Sequence, residues 1–320
     1  MNTAIAPSPL PGRPARFSGL IAATYTPFAS DGSLNLEVIE KQATHLAKNG
    51  ISAAFICGTT GEGPSLTIEE RTRLARRWSE VVRGTSLKLI VHVGHNSVAE
   101  ARVLASDAAK CGAHAISAVA PNYFKPATVN DLVSFCASIA QAAPDLPFYY
   151  YDIPGLTGVN LSMPEFLTEA RGRIPTLAGL KYSNPDLVGL QQCLALGPGL
   201  EVFYGMDEIL LAALAYGVEG AVGSTYNFIA PTFHRLWAAF RRGDFVAARA
   251  EQLRSVEFVR ICAGFGYLRT SKAAMSLLGV DCGPMRLPFS PLSSGEQSKL
   301  FAALEASGLF GTANSISLSR

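Results

Sequence analysis

Lys181 is the residue whose type and position point most directly to chemistry. It ends an apolar, strand-like run at 177–180, and Asn184-Pro185 behind it predicts the N-cap and first position of a helix. A lysine at such a junction can attack a carbonyl carbon and form an imine once its amine is neutral. Desolvation inside a protein favours the neutral amine. The alternative is a strand-end lysine whose amine reaches solvent.

Two adjacent hydroxyls, Thr59 and Thr60, lie in the glycine-rich segment GTTGEG at 58–63, directly after another strand-like run. Hydroxyl and backbone amide donors can bind a carboxylate without placing a second positive charge beside a lysine amine. The segment therefore predicts a loop that binds the carboxylate of a substrate. Its simpler interpretation is a glycine-rich turn that binds nothing.

Two further strand ends carry groups that could move protons or bind hydroxyls. Tyr149, Tyr150 and Tyr151 are consecutive, and because strand residues alternate, at least one phenol should face the interior and could relay protons. Asp207 and Glu208 follow a later run, where their carboxylates could accept hydrogen bonds from sugar hydroxyls. The alternatives are aromatic packing for the phenols and compensation of a helix dipole for the carboxylates.

His92 and His95, in the segment VHVGHN, invite comparison with a zinc site. Their spacing does not match the i, i+4 pair of a helical zinc site, and no clear third ligand stands nearby in the sequence. We therefore expect no bound metal.

The elements that must position these groups form a repeating pattern. Short apolar runs alternate with amphipathic segments, and the predicted strands are 20–24, 53–57, 89–93, 115–119, 147–151, 177–181, 202–204 and 220–223. Helix starts are indicated by a hydroxyl residue three positions before a glutamate, at Thr67, Ser97 and Ser162, and helix ends by Gly50, Gly84, Gly112 and Gly197.

Eight such units predict an α/β protein, a (β/α)₈ TIM barrel with a C-terminal helical appendage. The alternative is an open, doubly wound sheet. That fold would normally show a glycine-rich phosphate-binding turn after the first strand, where this chain reads TYTPF. In a barrel, active sites lie at the carboxyl ends of the strands, so the residues above should meet at one face.

The predicted organisation has four parts: a disordered leader at 1–16, the barrel strands with the active site at 17–229, the last barrel helix and a helical region at 230–308, and a tail at 309–320. Within the third part, helical segments are expected at 231–242, 245–263 and 270–278. The leader is rich in proline and lacks the apolar stretch of a secretory signal.

Composition excludes several classes of function. Charged residues make up 16% of the chain, the formal net charge is +2, and the basic residues are dispersed, so we expect no nucleic-acid partner. No apolar run approaches the length of a membrane span, so we expect no membrane partner. The six cysteines are widely spaced and form no CxxC pair, which is typical of reduced thiols in a cytoplasmic protein.

Five motifs occur in order along the chain: GTTGE, YYYDIP, GLKYS, YGMDE and GSTYN. Together they resemble the pyruvate-dependent class I aldolases that include dihydrodipicolinate synthase and N-acetylneuraminate lyase, over residues 17–289. The segments LPFYYYDIP, GLKYSNPDL and GAVGSTYN are most similar to those of the lyases. The resemblance implies a homotetramer that uses no cofactor and reversibly cleaves N-acetylneuraminate, a sialic acid, into N-acetylmannosamine and pyruvate.

The resemblance also implies roles for individual residues. Lys181 would form the imine, Tyr151 would relay protons, and Thr59 and Thr60 would bind the carboxylate of the pyruvate half. The remaining substrate-binding positions would be Ser183, Gly205, Asp207, Glu208 and Ser224, and Tyr123 would reach into the site of a neighbouring subunit.

One departure from the synthases bears on the substrate. They carry an arginine in the loop after the tyrosine motif, which binds the carboxylate of aspartate semialdehyde, whereas this chain has Leu156 there, in the segment GLTG. Leucine cannot pair with a carboxylate, which favours an uncharged, polyhydroxylated acceptor. The alternatives are a related aldolase, synthase or dehydratase acting on another 2-keto-3-deoxy sugar acid, and a non-catalytic barrel that only binds a ligand.

Overall fold

The structure, a computed structural model, describes residues 17–309. Eight parallel strands pair in sequence order and close into a barrel, with the first strand hydrogen-bonded to the last. The strands are β1 Gly19–Ala23, β2 Ala53–Ile56, β3 Lys88–His92, β4 Ala115–Val119, β5 Phe148–Asp152, β6 Leu177–Tyr182, β7 Glu201–Tyr204 and β8 Gly220–Gly223. The (β/α)₈ barrel prediction is confirmed, and the doubly wound alternative is wrong.

The barrel strands are apolar because both of their faces are buried. All six residues of β6 are buried, for example. One face packs against the surrounding helices, and the other fills the barrel with a separate cluster that includes Phe55, Tyr151 and Phe203. Gly179 on β6 has no room for a side chain, since a Cβ there would lie 1.7 Å from the backbone oxygen of Glu201 on β7.

Helices connect the strands and cover the barrel. They are α1 Val38–Lys48, α2 Ile68–Val82, α3 Val98–Cys111, α4 Val129–Ala140, α5 Pro154–Thr157, α6 Met163–Arg171, α7 Leu187–Ala195, α8 Leu210–Ala215, α9 Tyr226–Arg241, α10 Phe245–Ala263, α11 Tyr267–Ala274 and α12 Ser294–Ala306. Short 3₁₀ turns lie at Gly63–Ser65, Asp207–Ile209 and Met275–Leu278.

The predicted helix starts are N-caps in the structure. The hydroxyls of Thr67, Ser97 and Ser162 each accept a hydrogen bond from the backbone N–H three residues later, at 3.2, 3.4 and 3.4 Å. Of these three, Thr67 alone completes the reciprocal bond from its own backbone N–H to the glutamate. Each such cap stabilises its helix by about 1 kcal/mol. The predicted helix ends are also confirmed, because all four glycines adopt positive φ angles.

The start predicted for the helix after β6 is wrong. Helix α7 begins at Leu187, and its N-cap is Asp186, which accepts hydrogen bonds from two backbone N–H groups at 3.0 Å. Asn184 instead forms a turn, in which its side-chain oxygen accepts from the Asp186 N–H at 3.0 Å. Its amide donates to the buried carboxylate of Asp152 at 3.0 Å.

Up to residue 309, the C-terminal region contains one more helix than predicted. Segment Phe245–Ala263 is confirmed as α10, while α9 begins at Tyr226, ahead of the predicted 231, and is kinked at Ile229. The third segment is divided into α11 and a 3₁₀ turn. Helix α12 was not predicted, although Ser293 and Glu296 form a complete capping box at its start. The predicted leader, and the tail apart from Leu309, lie outside the described residues.

The six cysteines are all free thiols. None of the helices within residues 17–309 has the length and apolar character needed to cross a bilayer.

Candidate active site

Lys181 lies inside the barrel near the carboxyl end of β6, and only 4% of it is exposed. Its Nζ is 3.9 Å from the centroid of the Tyr151 ring and 4.3 Å from that of Phe55. Of the ion pairs formed within residues 17–309, none involves this amine. The alternative of a lysine that reaches solvent is wrong, and the amine is in the dry environment that imine chemistry requires.

Tyr151 is placed beside Lys181 by strand pairing. The register of β5 and β6 sets these two residues directly opposite each other. Tyr151 and Tyr149 belong to the cluster inside the barrel, whereas Tyr150 points outward and packs against Phe166 at a ring distance of 4.7 Å. The predicted alternation is therefore confirmed, and one phenol reaches the buried amine.

The GTTGE loop brings a hydroxyl to the same place. The Oγ1 of Thr59 lies 3.4 Å from the Tyr151 hydroxyl, and Thr60 beside it is buried. The loop folds back on itself, since the N–H of Glu62 donates to the carbonyl of Thr59 at 3.1 Å. Lys181, Tyr151 and Thr59 thus form one group of contacts at the carboxyl ends of three strands.

Two non-glycine residues, one just before the loop and one within it, have backbone angles in the left-handed region. Cys57 and Glu62 have φ angles of 59° and 55°. Such conformations cost on the order of 1–3 kcal/mol each and persist only when the surrounding structure enforces them. Gly63 is required by close approach, because a Cβ there would lie 2.0 Å from the carbonyl oxygen of Cys57. The loop is thus held in a specific, strained shape.

His92, at the end of β3, is a buried neighbour of the site. Its ring packs edge-on against the Tyr151 ring, with centroids 5.9 Å apart. Burial, together with the positive charge of Arg71, holds the pKa of His92 well below its usual range, so its imidazole is neutral. The Arg71 guanidinium donates to the His92 carbonyl at 2.7 Å and lies 3.5 Å from its Nδ1. A fixed cation at this distance disfavours metal binding through Nδ1.

Asp207 follows the carboxyl end of β7, the strand that pairs with β6. It is buried, and its Oδ2 accepts hydrogen bonds from the Thr225 backbone N–H at 3.0 Å and hydroxyl at 2.6 Å. Burial raises its pKa to about 6, although the Thr225 hydrogen bonds oppose the shift. Gly223 makes room for the carboxylate, since a Cβ there would lie 1.8 Å from Oδ1. The carboxylate is therefore fixed, while the neighbouring Glu208 is only half-buried.

Two further pairs involve the remaining predicted residues. The Ser183 hydroxyl occupies the space beside Gly205, because a Cβ on that glycine would lie 2.0 Å from Oγ. The Ser224 hydroxyl lies 2.7 Å from the hydroxyl of Tyr267 on α11. Tyr267 was not predicted as a site residue. It lies 43 positions from Ser224 in the sequence, and no local pattern connects the two.

Two predicted positions lie on the surface. Tyr123 is 80% exposed, and its ring packs edge-on against Phe124 at 5.0 Å. A role for Tyr123 in a neighbouring subunit's site stays a prediction. Leu156, on the short helix α5, is 62% exposed. It is the position at which a synthase would carry its arginine, according to the sequence resemblance.

The comparison with known proteins decides the family. The model of the dihydrodipicolinate synthetase family matches residues 16–307. The chain belongs to this family.

Similar members of the family carry two different names. N-acetylneuraminate lyase of Gallus gallus is 41% identical over 296 residues, covering 91% of this chain and 96% of that one. The structure of N-acetylneuraminate lyase, or sialic acid aldolase, from Aliivibrio salmonicida has a TM-score of 0.89 at 42% identity, covering 92% of this chain and 97% of that chain. A dihydrodipicolinate synthase from Cyanidioschyzon merolae, solved with lysine bound, has a TM-score of 0.86 at 32% identity, covering 92% and 99%.

In this member of the dihydrodipicolinate synthetase family, the predicted site residues form two groups, which we call the two halves of the barrel mouth. One half contains the amine of Lys181, the phenol of Tyr151 and the hydroxyl of Thr59, which suit a small keto acid. The other half contains Asp207 and Ser224, whose oxygens suit the hydroxyls of a longer substrate. The ends of β2, β5 and β6 supply the first half, and the ends of β7 and β8 supply the second.

Proposed function

We propose that this protein is an N-acetylneuraminate lyase, a class I carbon–carbon lyase that reversibly cleaves N-acetylneuraminate to N-acetylmannosamine and pyruvate. The observation that carries the proposal is the buried amine of Lys181, which lies 3.9 Å from the Tyr151 ring and has no ion-pair partner within residues 17–309. Similarity to proteins named N-acetylneuraminate lyase, such as that of Gallus gallus at 41% identity, supports the choice of substrate.

The cleavage reaction begins with imine formation. The Lys181 amine attacks the C2 carbonyl carbon of the open-chain sugar acid, and loss of water leaves a protonated imine. The C4 hydroxyl then loses its proton, the C3–C4 bond breaks, and its electron pair moves into the imine to give an enamine. N-acetylmannosamine leaves as the aldehyde. Protonation of the enamine at C3 and hydrolysis of the imine release pyruvate and restore the amine.

Tyr151 relays protons in this scheme. Its hydroxyl lies 3.4 Å from the Thr59 hydroxyl, and its ring contacts the lysine amine, so it is positioned beside both the imine and the carboxylate of the substrate. Thr59 and Thr60 bind that carboxylate through neutral donors. Because the donors are uncharged, they do not repel the cationic imine.

The second half of the mouth binds the polyhydroxylated tail. Asp207 is held by two hydrogen bonds from Thr225, and it accepts hydrogen bonds from substrate hydroxyls with its remaining lone pairs. Ser224 and Tyr267 offer a linked pair of hydroxyls. Ser183, Gly205 and Glu208 complete this half of the site. Leu156, in place of the arginine of the synthases, favours an aldehyde substrate that carries no carboxylate.

The reaction needs no metal or organic cofactor, because the protonated imine is itself the electron sink. The protein is proposed to act in the cytoplasm, in carbohydrate metabolism, as the six free thiols and the small-molecule substrates favour. A homotetramer is proposed on the family resemblance and the exposed rings of Tyr123 and Phe124. Light scattering that gives a monomer would contradict the tetramer.

A panel of three substrates tests the proposal. The purified protein is assayed for cleavage of N-acetylneuraminate and of 2-keto-3-deoxygluconate, and for condensation of pyruvate with aspartate semialdehyde. We expect kcat/KM to be highest for N-acetylneuraminate by at least about tenfold, since a few positioned hydroxyl contacts discriminate by this much or more. A higher value for either of the other substrates would overturn the assignment and favour the corresponding relative.

A further inference from the structure

Glu62 is the last residue of the carboxylate-binding motif GTTGE, and its side chain turns away from the barrel toward the C-terminal region. Its Oε1 accepts a hydrogen bond from Lys272 Nζ at 2.7 Å, and its Oε2 accepts one from the Arg286 backbone N–H at 2.9 Å. Both side chains of the ion pair are 1% exposed. A charge-assisted hydrogen bond in such a dry environment is strong and directional.

Lys272, on α11, is enclosed on its other sides. Its Nζ donates to the carbonyl of Pro284 at 2.8 Å and lies 4.1 Å from the centroid of the Phe28 ring. Burial lowers the pKa of Lys272, and the neighbouring Glu62 carboxylate opposes that shift. The hydrogen bonds to Glu62 and Pro284 fix the amine in place, so it anchors a carboxylate that is 210 positions away in the sequence.

The anchored residue is one of the two non-glycine residues here that have a positive φ angle. Glu62 has a φ of 55°, a conformation that its surroundings must enforce. Its backbone N–H donates to the carbonyl of Thr59 at 3.1 Å, so the shape at Glu62 sets the shape at the predicted carboxylate-binding hydroxyl. A second support comes from Thr26, whose hydroxyl donates to the Gly61 carbonyl at 2.6 Å.

We propose that Lys272 and Glu62 are positioning residues for substrate binding. Through their ion pair, α11 holds the GTTGE loop in the conformation in which Thr59 and Thr60 bind the carboxylate of the keto acid. The same helix reaches the other half of the site through Tyr267 and Ser224, so the docking of α11 assembles both halves. This inference rests on the proposed imine chemistry at Lys181.

A purely structural role for the ion pair makes a different prediction. Breaking a buried pair destabilises a protein because an unpaired charge remains, whatever the pair is near. A structural pair would lower the thermal midpoint without changing how tightly the folded enzyme binds pyruvate. A positioning pair changes pyruvate binding even in variants whose stability is restored.

The experiment measures borohydride trapping of pyruvate on Lys181 as a function of pyruvate concentration. It compares the natural protein with Glu62→Gln, Lys272→Met and the double variant, which leaves no buried charge unpaired. The control is Arg269→Gln, which removes a different α11 ion pair, to Glu296 at 2.8 Å. The hydrogen bonds that the Arg269 side chain makes within residues 17–309 include none to the loop at 58–63. Thermal midpoints are recorded for all five proteins, and trapping is assayed well below them.

We expect the half-saturating pyruvate concentration to rise about tenfold or more in Glu62→Gln, Lys272→Met and the double variant, as the loss of a charge-assisted hydrogen bond implies. The trapped fraction at saturating pyruvate should change by less than about twofold, since the amine itself is untouched. The double variant should recover thermal stability relative to Lys272→Met but not pyruvate binding. Arg269→Gln should lose stability and bind pyruvate normally.

Three results would overturn the inference. The first is an unchanged pyruvate dependence in folded Glu62→Gln or in the double variant, which would leave the proposed function standing. The second is an equal loss of pyruvate binding in Arg269→Gln, which would indicate a general effect of loosening α11. The third is a natural protein that traps no pyruvate, which would remove the proposed function and this inference together. If Lys272→Met does not fold, Glu62→Gln decides, because it keeps the side-chain shape.

Discussion

Among the residues that the structure describes, Lys181 and Lys272 are buried to a similar degree, and their surroundings differ completely. Lys272 is 1% exposed, and its amine donates to the carboxylate of Glu62 at 2.7 Å. Lys181 is 4% exposed, and its amine lies between the rings of Tyr151 and Phe55 with no carboxylate oxygen within 4 Å among the described residues. The first amine lies between α11 and a loop, and the second lies inside the barrel.

The comparison shows that burial alone does not make a lysine reactive. A carboxylate at hydrogen-bond distance stabilises the ammonium form and holds its proton, so that amine acts as an anchor. Aromatic faces stabilise a cation more weakly and leave the nitrogen able to bond to carbon. What separates the anchor from the nucleophile is the partner of each amine.

Replacing the nucleophile should give the largest effect. Lys181→Ala should reduce kcat for N-acetylneuraminate cleavage on the order of 10⁴-fold or more, because without the amine no imine forms. Steady-state kinetics measures the loss, and the thermal midpoint checks that the barrel is intact. Lys272→Met is the matched comparison and should keep most of its kcat at saturating substrate. Full turnover in Lys181→Ala would rule out the imine mechanism.

Removing the phenol beside the nucleophile should give the next largest effect. Tyr151→Phe keeps the ring that packs on Lys181 and deletes the hydroxyl near Thr59, so kcat should fall by about 10²- to 10⁴-fold while pyruvate is still trapped. Tyr150→Phe is the control, because Tyr150 faces outward against Phe166. An unchanged kcat in Tyr151→Phe would remove Tyr151 from the proton relay.

Asp152 is a buried carboxylate that, like Lys181, has no ion-pair partner within residues 17–309. Burial raises the pKa of Asp152 from 3.8 to about 6, and the Asn184 hydrogen bond only partly opposes the shift. The folded state therefore binds more protons than the unfolded state between these values, and stability falls as the pH rises from about 4 to about 6.

Asp152→Asn should remove this cost. Above pH 7 the variant should be more stable by about 3 kcal/mol. At pH 4 the folded carboxyl is protonated and the unfolded one is partly protonated, so the difference should shrink to less than about 1 kcal/mol. Urea unfolding at pH 4 and pH 7.5 measures both differences. Equal stability of the two proteins at pH 7.5 would show that the carboxylate is solvated or paired in a way that the structure does not contain.

An exposed ion pair should give the smallest effect. Arg260 and Glu257 lie one turn apart on α10 with a nitrogen–oxygen distance of 2.7 Å, and the arginine side chain is 70% exposed. Because solvent screens such a pair, Arg260→Gln should change the thermal midpoint by no more than about 1 °C. A loss as large as that of Lys272→Met would contradict the distinction between exposed and buried pairs.

Sequence patterns predicted the parts of the molecule that depend on local spacing. The strand containing Lys181 and the inward direction of Tyr151 follow from apolar runs and from alternation, and both are confirmed. The start of α7 was misplaced because Asn184-Pro185 and Asp186 all carry N-cap or turn signals within three positions, and tertiary contacts to Asp152 select between them.

Contacts between distant segments could not be predicted in this way. Lys272 and Glu62 are 210 positions apart, and Ser224 and Tyr267 are 43 apart, so no spacing rule connects either pair. Lysine and tyrosine on an amphipathic helix are ordinary surface residues by their pattern alone. Only the docking of α11 against the barrel mouth gives them a place beside the site.

The difference between the two buried lysines is tested most directly by mapping the site of reduction. The natural protein is incubated with pyruvate and borohydride and digested, and the peptides that contain Lys181 and Lys272 are compared by mass spectrometry. Imine formation at Lys181 predicts a pyruvate-derived mass on the Lys181 peptide, with loss of activity in proportion, and none on the Lys272 peptide. Modification of Lys272, or an unmodified Lys181 in a protein that still cleaves its substrate, would contradict it.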